Sequence, residues 1–237
     1  MTVVNQSPVL YLSAPHPCAY LTQQTSTTVV VDPQFPMTPP LYTALANKGF
    51  RRSGRMVYRP HCEHCQACIS VRIPVESFQP NRSQRRNYSK NRDLKITPKA
   101  AIFDPEQFDL YKRYQKMRHP DGSMDDSNPS KYLDFLTNPY IETVFYELRL
   151  GHQLVAVAVA DHLADGLSAM YTFYDPDFGN RGLGIFAILY EIQKVRALKL
   201  KWLYLGYWIA ECEKMNYKTN FQPIEGFIKG NWTPILT

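Results

Sequence analysis

Two clusters in this chain have the residue types and spacing to do chemistry. The first is Tyr171-Thr-Phe-Tyr-Asp175-Pro-Asp-Phe-Gly179-Asn-Arg181-Gly182-Leu-Gly184, followed by an apolar stripe and then Tyr204-Leu-Gly-Tyr207-Trp208. It reads as strand, glycine-rich turn, helix, strand. Such a turn leaves backbone N–H groups without partners at a helix start, where they can hold a phosphate or a developing oxyanion. The second is Cys62-x-x-Cys65-x-x-Cys68, with His61 and His64 interleaved and Cys18 upstream. Thiolates at this spacing suit a soft metal, although three cysteines at two-residue gaps are tighter than a zinc ribbon. The alternative is a group of reduced thiols without metal. Cys212 stands apart and reads as a small buried hydrophobe.

Composition narrows what these clusters serve. Of 237 residues, 44% are hydrophobic and 13% aromatic, enough for a packed core in one large or two modest domains. That share excludes wholesale disorder. No apolar run approaches the ~20 residues that a membrane span needs, so no membrane partner is expected. No Lys, Arg, Asp or Glu precedes Asp32, which is unlike a secretory signal. Five cysteines, three of them crowded together, do not form a disulfide framework, and the expected setting is a reducing cytoplasm. The net charge of +6 is unevenly spread. Between Gly49 and Lys99 stand twelve Lys/Arg against three acids, whereas the remainder has 15 basic and 18 acidic residues. One region carries the whole excess, as on a polyanion-binding face.

The elements that must position these residues follow from periodicity. Residues 1 to about 40 are polar, with a β-like patch at Thr27–Val31. Val71-Arg-Ile-Pro-Val75 alternates as a strand does. Arg82, Arg85, Arg86 and Lys90 fall on one stripe if their segment is helical. Asp104-Pro105-Glu106-Gln107 marks a helix start running to about Met117, and Asn128-Pro129 starts a second helix through Leu136. Strands follow from Val144, with turns at Leu150-Gly151-His152 and Asp165-Gly166; Val155–Ala160 reads as a central strand. Ile185, Ile188, Leu189, Ile192 and Val195 form a helical stripe, and Trp202–Ile209 is a strand. The expected division is a basic, cysteine-containing lobe over 1–100 and a transferase domain over 101–237.

The glycine turn resembles that of GNAT N-acyltransferases. Gly179-Asn-Arg-Gly182-Leu-Gly184 matches their Gln/Arg-x-x-Gly-x-Gly/Ala pattern except at the first position. The element order also resembles theirs, implying an α+β, GNAT-like domain with a mixed or antiparallel sheet flanked by helices. Taken together, the blocks Pro17-Cys18-x-Tyr20-Leu21, Gly49-Phe-Arg51-Arg52-Ser53-Gly54, Tyr58-Arg59-Pro-x-Cys62-x-x-Cys65-x-x-Cys68 and Phe78-x-Pro80-x-Arg82-Ser-Gln-Arg85-Arg86 resemble one family closely. Further blocks are Tyr111-x-x-Tyr114-x-x-x-Arg118-His119-x-x-Gly122-x-Met124, Tyr204-Leu-Gly-Tyr207-Trp208-Ile and Lys214-Met-x-Tyr217-Lys218-x-x-Phe221-x-Pro223. That family is the bacterial aspartate/glutamate leucyltransferases, relatives of the eukaryotic arginyl-tRNA–protein transferases. Relatives often carry Arg-Ser-Leu-Gly where this chain has Arg181-Gly182-Leu-Gly184, which removes any hydroxyl role at position 182.

The resemblance implies transfer of leucine from leucyl-tRNA to a protein's N-terminal Asp or Glu, marking it for N-end rule degradation. Alternatives are arginine as the transferred residue, an acetyl-coenzyme A N-acetyltransferase, or a non-catalytic metal-containing RNA-binding module. The reaction is aminolysis of an ester. The attacking α-amine has a pKa near 7.7–8.0, so positioning and oxyanion stabilisation supply most of the rate and no cofactor is required. Expected oxyanion donors are the backbone N–H groups of Leu183 and Gly184. Candidates to move the proton are Asp175, His119, Tyr207 and Tyr217. An acidic acceptor calls for Arg51, Arg52 and Arg55, with Arg181 and Lys218 behind them. Arg82, Arg85, Arg86, Lys90 and Arg92 suit tRNA phosphates, with Tyr88 available to stack. Tyr171, Phe173, Leu183 and Tyr207 are candidates for the leucyl pocket. Eukaryotic relatives bind metal or an iron–sulfur cluster in this part of the fold, so zinc or such a cluster at Cys18, Cys62, Cys65 and Cys68 is the corresponding cofactor expectation.

Overall fold

In the computed structural model, which describes residues 7–118 and 128–236, strand alternation decides which helix covers which face. Four short strands come first: β1 (Leu10–Leu12), β2 (His16–Pro17), β3 (Thr25–Ser26) and β4 (Thr28–Val31). Helix α1 (Pro39–Ala46), strands β5 (Arg51–Ser53), β6 (Met56–Pro60) and β7 (Ile69–Pro74), helix α2 (Arg82–Lys90) and strand β8 (Lys95–Ala100) follow. Next are α3 (Pro105–Arg118), α4 (Pro129–Leu136), β9 (Thr143–Leu150), β10 (Gln153–His162), β11 (Gly166–Tyr174), α5 (Leu183–Ala197) and β12 (Trp202–Trp208). Helix α6 (Glu213–Asn216) and the hairpin β13 (Glu225–Ile228) and β14 (Asn231–Pro234) close the chain.

Eight strands form one sheet in the order β14-β13-β7-β12-β11-β10-β9-β8, and β1-β4-β6-β5 form a second sheet of four. Within the large sheet only β11 and β12 run parallel. The result is a mixed α+β fold with sheets flanked by helices. A division at residue 100 cuts the large sheet, because β7 sits between β12 and β13 and β8 forms its edge. Val71 and Ile73 of β7 are wholly buried, so that strand needs neighbours on both sides. The appended layer is β1 to β6 with α1.

The run Val155–Ala160 lies inside β10 and is buried throughout. Its two faces differ in size. Val157 and Val159, with Phe145 and Phe173, meet Phe108, Tyr111 and Tyr114 of α3 and Tyr132 of α4. Ala156, Ala158 and Ala160 face the other way, with Tyr146 and Leu148, toward Leu183, Phe186 and Ala187 of α5. Small strand residues let α5 approach closely, and close packing is what a core rewards. Asp104 and Asn128 cap α3 and α4 as expected, and α2 has a cap beyond those expected from the sequence. Asn81 and Gln84 exchange side-chain-to-backbone bonds of 2.9 Å at the start of α2.

A buried ion pair ties the N-terminal layer to this sheet. Arg52 Nε donates to Asp161 Oδ2 at 2.6 Å, and the two side chains are 1% and 0% exposed. Arg52 Nη2 also donates to the Leu136 carbonyl at 2.8 Å and to Thr143 Oγ1 at 3.1 Å. The Tyr42 hydroxyl donates to Asp161 as well. Arg52, expected from sequence to bind an acceptor carboxylate, is therefore corrected: its donors are consumed inside the fold. Removing one member of such a pair strands the other charge. Asp161→Ala should lower the unfolding free energy by about 3–5 kcal/mol in equilibrium urea titration. A loss below about 1 kcal/mol would show that the pair is not needed to hold the layers together.

Candidate active site

The glycine turn is built around backbone groups that need side-chain partners. Asp175, 1% exposed, ends β11 and accepts from Asp177 N at 3.2 Å, opening a 3-10 turn over Pro176–Arg181. Gly182 follows with φ 64° and starts α5 without a side-chain cap. A Cβ at Gly182 would lie 2.5 Å from Asn87 Nδ2, so both its conformation and its neighbour demand glycine. Asn87 Nδ2 donates to the carbonyls of Arg181 and Gly182, each at 3.0 Å. Lys90 Nζ donates to the Asn180 carbonyl at 2.7 Å, and Arg181 returns bonds to Asn91 and to the Lys90 carbonyl, both at 2.9 Å. Helix α2 is thereby fastened to the turn. Arg82, Arg85, Arg86 and Lys90 on α2, and Arg92 after it, are exposed. Space beside Gly184 is open. An uncapped helix start next to five exposed cations is an arrangement that attracts phosphates.

Toward the start of α5 the sheet opens. Strands β11 and β12 pair only from Gly166 to Ser168 against Trp202 to Tyr204, then part. Two cations satisfy carbonyls on the parted strands: Arg51 Nη2 donates to Ala169 O at 2.8 Å, and Lys218 Nζ donates to Tyr207 O. Gly206, at φ 79°, leaves room for Arg51, whose Nε would be 3.6 Å from a Cβ there. Helix α5 lies across both strands and contributes Glu191, wholly buried, with neither carboxylate oxygen hydrogen-bonded. Burial pushes the Glu191 carboxyl up to about 8, against the opposing pull of Arg51. Burial, then the neighbouring Arg51 charge, brings the Lys218 ammonium down to about 7.

The other expected residues are dispersed. Both oxygens of Asp175 are engaged, by Arg113 at 2.9 Å and Gln153 at 3.4 Å, which ties it into the turn. The Tyr207 hydroxyl lies 3.2 Å from the Gly49 carbonyl and 3.1 Å from that of Tyr58, and burial raises its pKa well above the usual value. Tyr217 is part exposed and within electrostatic reach of Glu191. His119 lies outside the described residues. Arg55 lines a separate hollow with Asp134 and Glu142, away from Arg51. Tyr171 and Phe173 pack into the α3 cluster, Leu183 packs from α5 onto the alanine face of β10, and Tyr207 lines the cysteine cavity, so these four do not form one pocket. Tyr88 is occupied by Gln193 at 2.8 Å and by the ring of Phe186.

Cys18, Cys62, Cys65 and Cys68 do converge on one cavity of about 820 Å³, together with Tyr20, Tyr58 and Tyr207. All are free thiols. Cys18 Sγ accepts from the backbone N–H groups of Tyr20 and Leu21 at 3.5 Å. Cys62 Sγ instead donates toward the Thr27 carbonyl at 3.7 Å. Burial first, then the neighbouring cysteines, pushes Cys68 up to about 12. Cys212 is not among the lining residues of that cavity, as expected, but lies within electrostatic reach of Cys68. Among the described residues no three His, Cys, Asp or Glu side chains close on one point as a metal requires. As placed, the thiols do not fit a zinc ion or a cluster.

Comparison with known proteins decides the family. Residues 16–86 match the model described as "Arginine-tRNA-protein transferase, N terminus", and residues 106–228 match "Arginine-tRNA-protein transferase, C terminus". The chain belongs to the arginine-tRNA-protein transferase family. Curated relatives named "Aspartate/glutamate leucyltransferase" include one from Pseudomonas paraeruginosa, 48% identical over 95% of this chain and 96% of its own. Another, from Teredinibacter turnerae, is 50% identical over 95% of this chain and 93% of its own. The solved structure of L-PGS from Bacillus licheniformis is 12% identical over 61% of this chain and 48% of that one, with a TM-score of 0.49. Within the part shared with the transferase family, sequence reasoning missed Glu191. A signal for it exists: it falls three residues after Ile188 and four before Val195, a lone acid on the apolar stripe of α5.

Glu191 gives a test of this placement. A folded-state pKa raised from 4.5 to about 8 means that the folded chain holds the proton more tightly than the unfolded chain. Its contribution is fully present below about pH 4.5 and is lost as pH rises to about 8. Wild type should therefore lose stability relative to Glu191→Gln across that window in denaturant titrations. Parallel curves for the two proteins would mean that Glu191 titrates in the fold as it does in water.

Proposed function

We propose that this chain transfers leucine from leucyl-tRNA to the α-amine of a protein whose first residue is Asp or Glu, marking it for N-end rule degradation. The observation that supports this most strongly is the fastening of α2 to the glycine turn. It puts Arg82, Arg85, Arg86, Lys90 and Arg92 around an uncapped helix start in a chain whose relatives are named leucyltransferases. The parting of the parallel strands β11 and β12 beside α5 supports a GNAT-type acyltransferase arrangement.

In this reading the tRNA backbone lies along α2 and its 3′ end reaches the first turn of α5. The N–H groups of Leu183 and Gly184 hold the terminal phosphate or the ester carbonyl there, and both ligands are favoured by the helix dipole. The ester is already activated, so much of the acceleration comes from holding amine and carbonyl at reacting distance. Asp175 steadies the turn through Arg113 and leaves the proton to other groups. Its neutralisation by Arg113 also removes one of the two acids near the turn that would suit an arginyl donor. His119 and Tyr217 stay candidates for the relay.

Two measurements test this. Incubated with labelled leucyl-tRNA, the protein should label peptides beginning with Asp or Glu and not Ala, and acetyl-coenzyme A should not act as donor. Labelling from acetyl-coenzyme A, or from arginyl-tRNA in preference to leucyl-tRNA, would overturn the donor assignment. For tRNA binding, Arg85→Ala and Arg86→Ala should each shallow the slope of log affinity against log salt by about 0.7–0.9. An unchanged slope would remove that arginine from the phosphate path.

A further inference from the structure

The fork between β11 and β12 contains polar groups that folding alone does not explain. Among the described residues, half of the buried side-chain polar atoms without hydrogen-bond partners lie at or beside it. They are Arg51 Nη1, both oxygens of Glu191, Ser70 Oγ opposite Tyr207, and Trp208 Nε1. A carboxylate buried without a partner is costly. Arg51 and Glu191 sense one another electrostatically, yet neither Nη1 nor either carboxylate oxygen makes a hydrogen bond. Arg51 reaches the fork from β5 and Glu191 from α5, and each keeps unpartnered atoms there.

We infer that the parting of β11 and β12 leaves a gap between these two groups that receives the acceptor's first residue, with Glu191 holding the α-ammonium and taking its proton while Arg51 Nη1 holds the side-chain carboxylate. The placement rests on the leucyl transfer proposed above and adds the group that reads and activates the acceptor. An N-terminal Asp or Glu carries an ammonium and a carboxylate on one short stem, so it matches both ends of the gap. A leucyl ester carries the ammonium alone and leaves Arg51 unmatched. An N-terminal Ala does the same, and an N-terminal Lys meets a like charge, which gives discrimination by mismatch. Glu191 also stands eight residues beyond Leu183, about 12 Å along α5. At that separation a phosphate at the helix start and an ester near the fork can belong to one 3′-terminal nucleotide.

The step balances simply. The acceptor nitrogen bonds to the ester carbonyl carbon, and the bond from that carbon to the ribose oxygen breaks. Of the two protons the ammonium sheds, one goes to Glu191 and on to solvent, and the other to the leaving oxygen. The groups within electrostatic reach of Glu191 are Arg51 from β5, Tyr146 from β9, Tyr190 from its own helix and Tyr217 from the turn after α6, and Lys218 in turn senses Arg51. An ammonium entering the gap favours the ionised carboxylate that must accept its proton.

The test uses the whole protein, leucyl-tRNA and peptides starting with Asp or Ala. Glu191→Gln should lower kcat/KM for the Asp peptide by about 100-fold or more near neutral pH. The deficit should shrink at about pH 9, where an α-amine of pKa 7.7–8.0 has already lost its proton. Affinity for leucyl-tRNA should stay within about twofold, and Glu191→Asp should recover part of the rate, which a loss of folding would not allow. A deficit unchanged with pH, or a Gln variant as active as wild type, overturns the assignment. So does a Gln variant that no longer distinguishes leucyl-tRNA from N-acetyl-leucyl-tRNA, because Glu191 would then read the donor's amine. Wild type that moves no leucine to any peptide would instead sink the function itself.

Discussion

The structure depends on one constraint: two parallel strands that pair for three residues and then separate. Where β11 and β12 part, backbone carbonyls lose the partners a sheet would supply, and buried carbonyls need donors. Arg51 and Lys218 supply them, from segments at opposite ends of the chain. The N-terminal layer is therefore part of the sheet's hydrogen bonding rather than an attachment to it. The same cations enrich the opening with charge, directly below the buried face of α5.

Two arginines adjacent in sequence show how position separates structure from chemistry. Arg52 has every demand met, by Asp161, Thr143 and the end of α4, and such a saturated pair holds layers in register. Arg51, one residue earlier in the same strand, points to the opposite face and keeps a donor in reserve. Burial of both is nearly equal, 7% and 6%, so exposure does not distinguish them. What distinguishes them is whether their partners are complete.

The glycine turn and the fork divide the work along one helix. At the start of α5 the helix dipole and the arginines of α2 favour anions; eight residues on, a buried acid favours a cation. A substrate with phosphates at one end and a reactive ester at the other fits such an axis. The cysteine cavity adjoins this line through Tyr207 and Ser70, while its thiols remain unlinked.

Much was readable before any coordinates. Asp104-Pro105 and Asn128-Pro129 mark helix starts because they act locally, through missing backbone partners within one turn. The stripe of α5 and the run Val155–Ala160 were legible because burial imposes a period on the residues themselves. The basic segment was legible because charge sums over a window regardless of fold. Sequence also carried the family, through many short blocks in one order. It could not separate Arg51 from Arg52 or assign Asp175 to Arg113. Each of those depends on partners far away along the chain, such as Asp161 for Arg52 and Ala169 for Arg51. The sequence by itself determined which residues form local elements and where the charge lies, because those are short-range or additive properties. Only the tertiary structure decided which charges are satisfied and which stay unpaired, because that is settled by contacts between distant segments, 62 residues apart for Arg113 and Asp175 and 109 for Arg52 and Asp161.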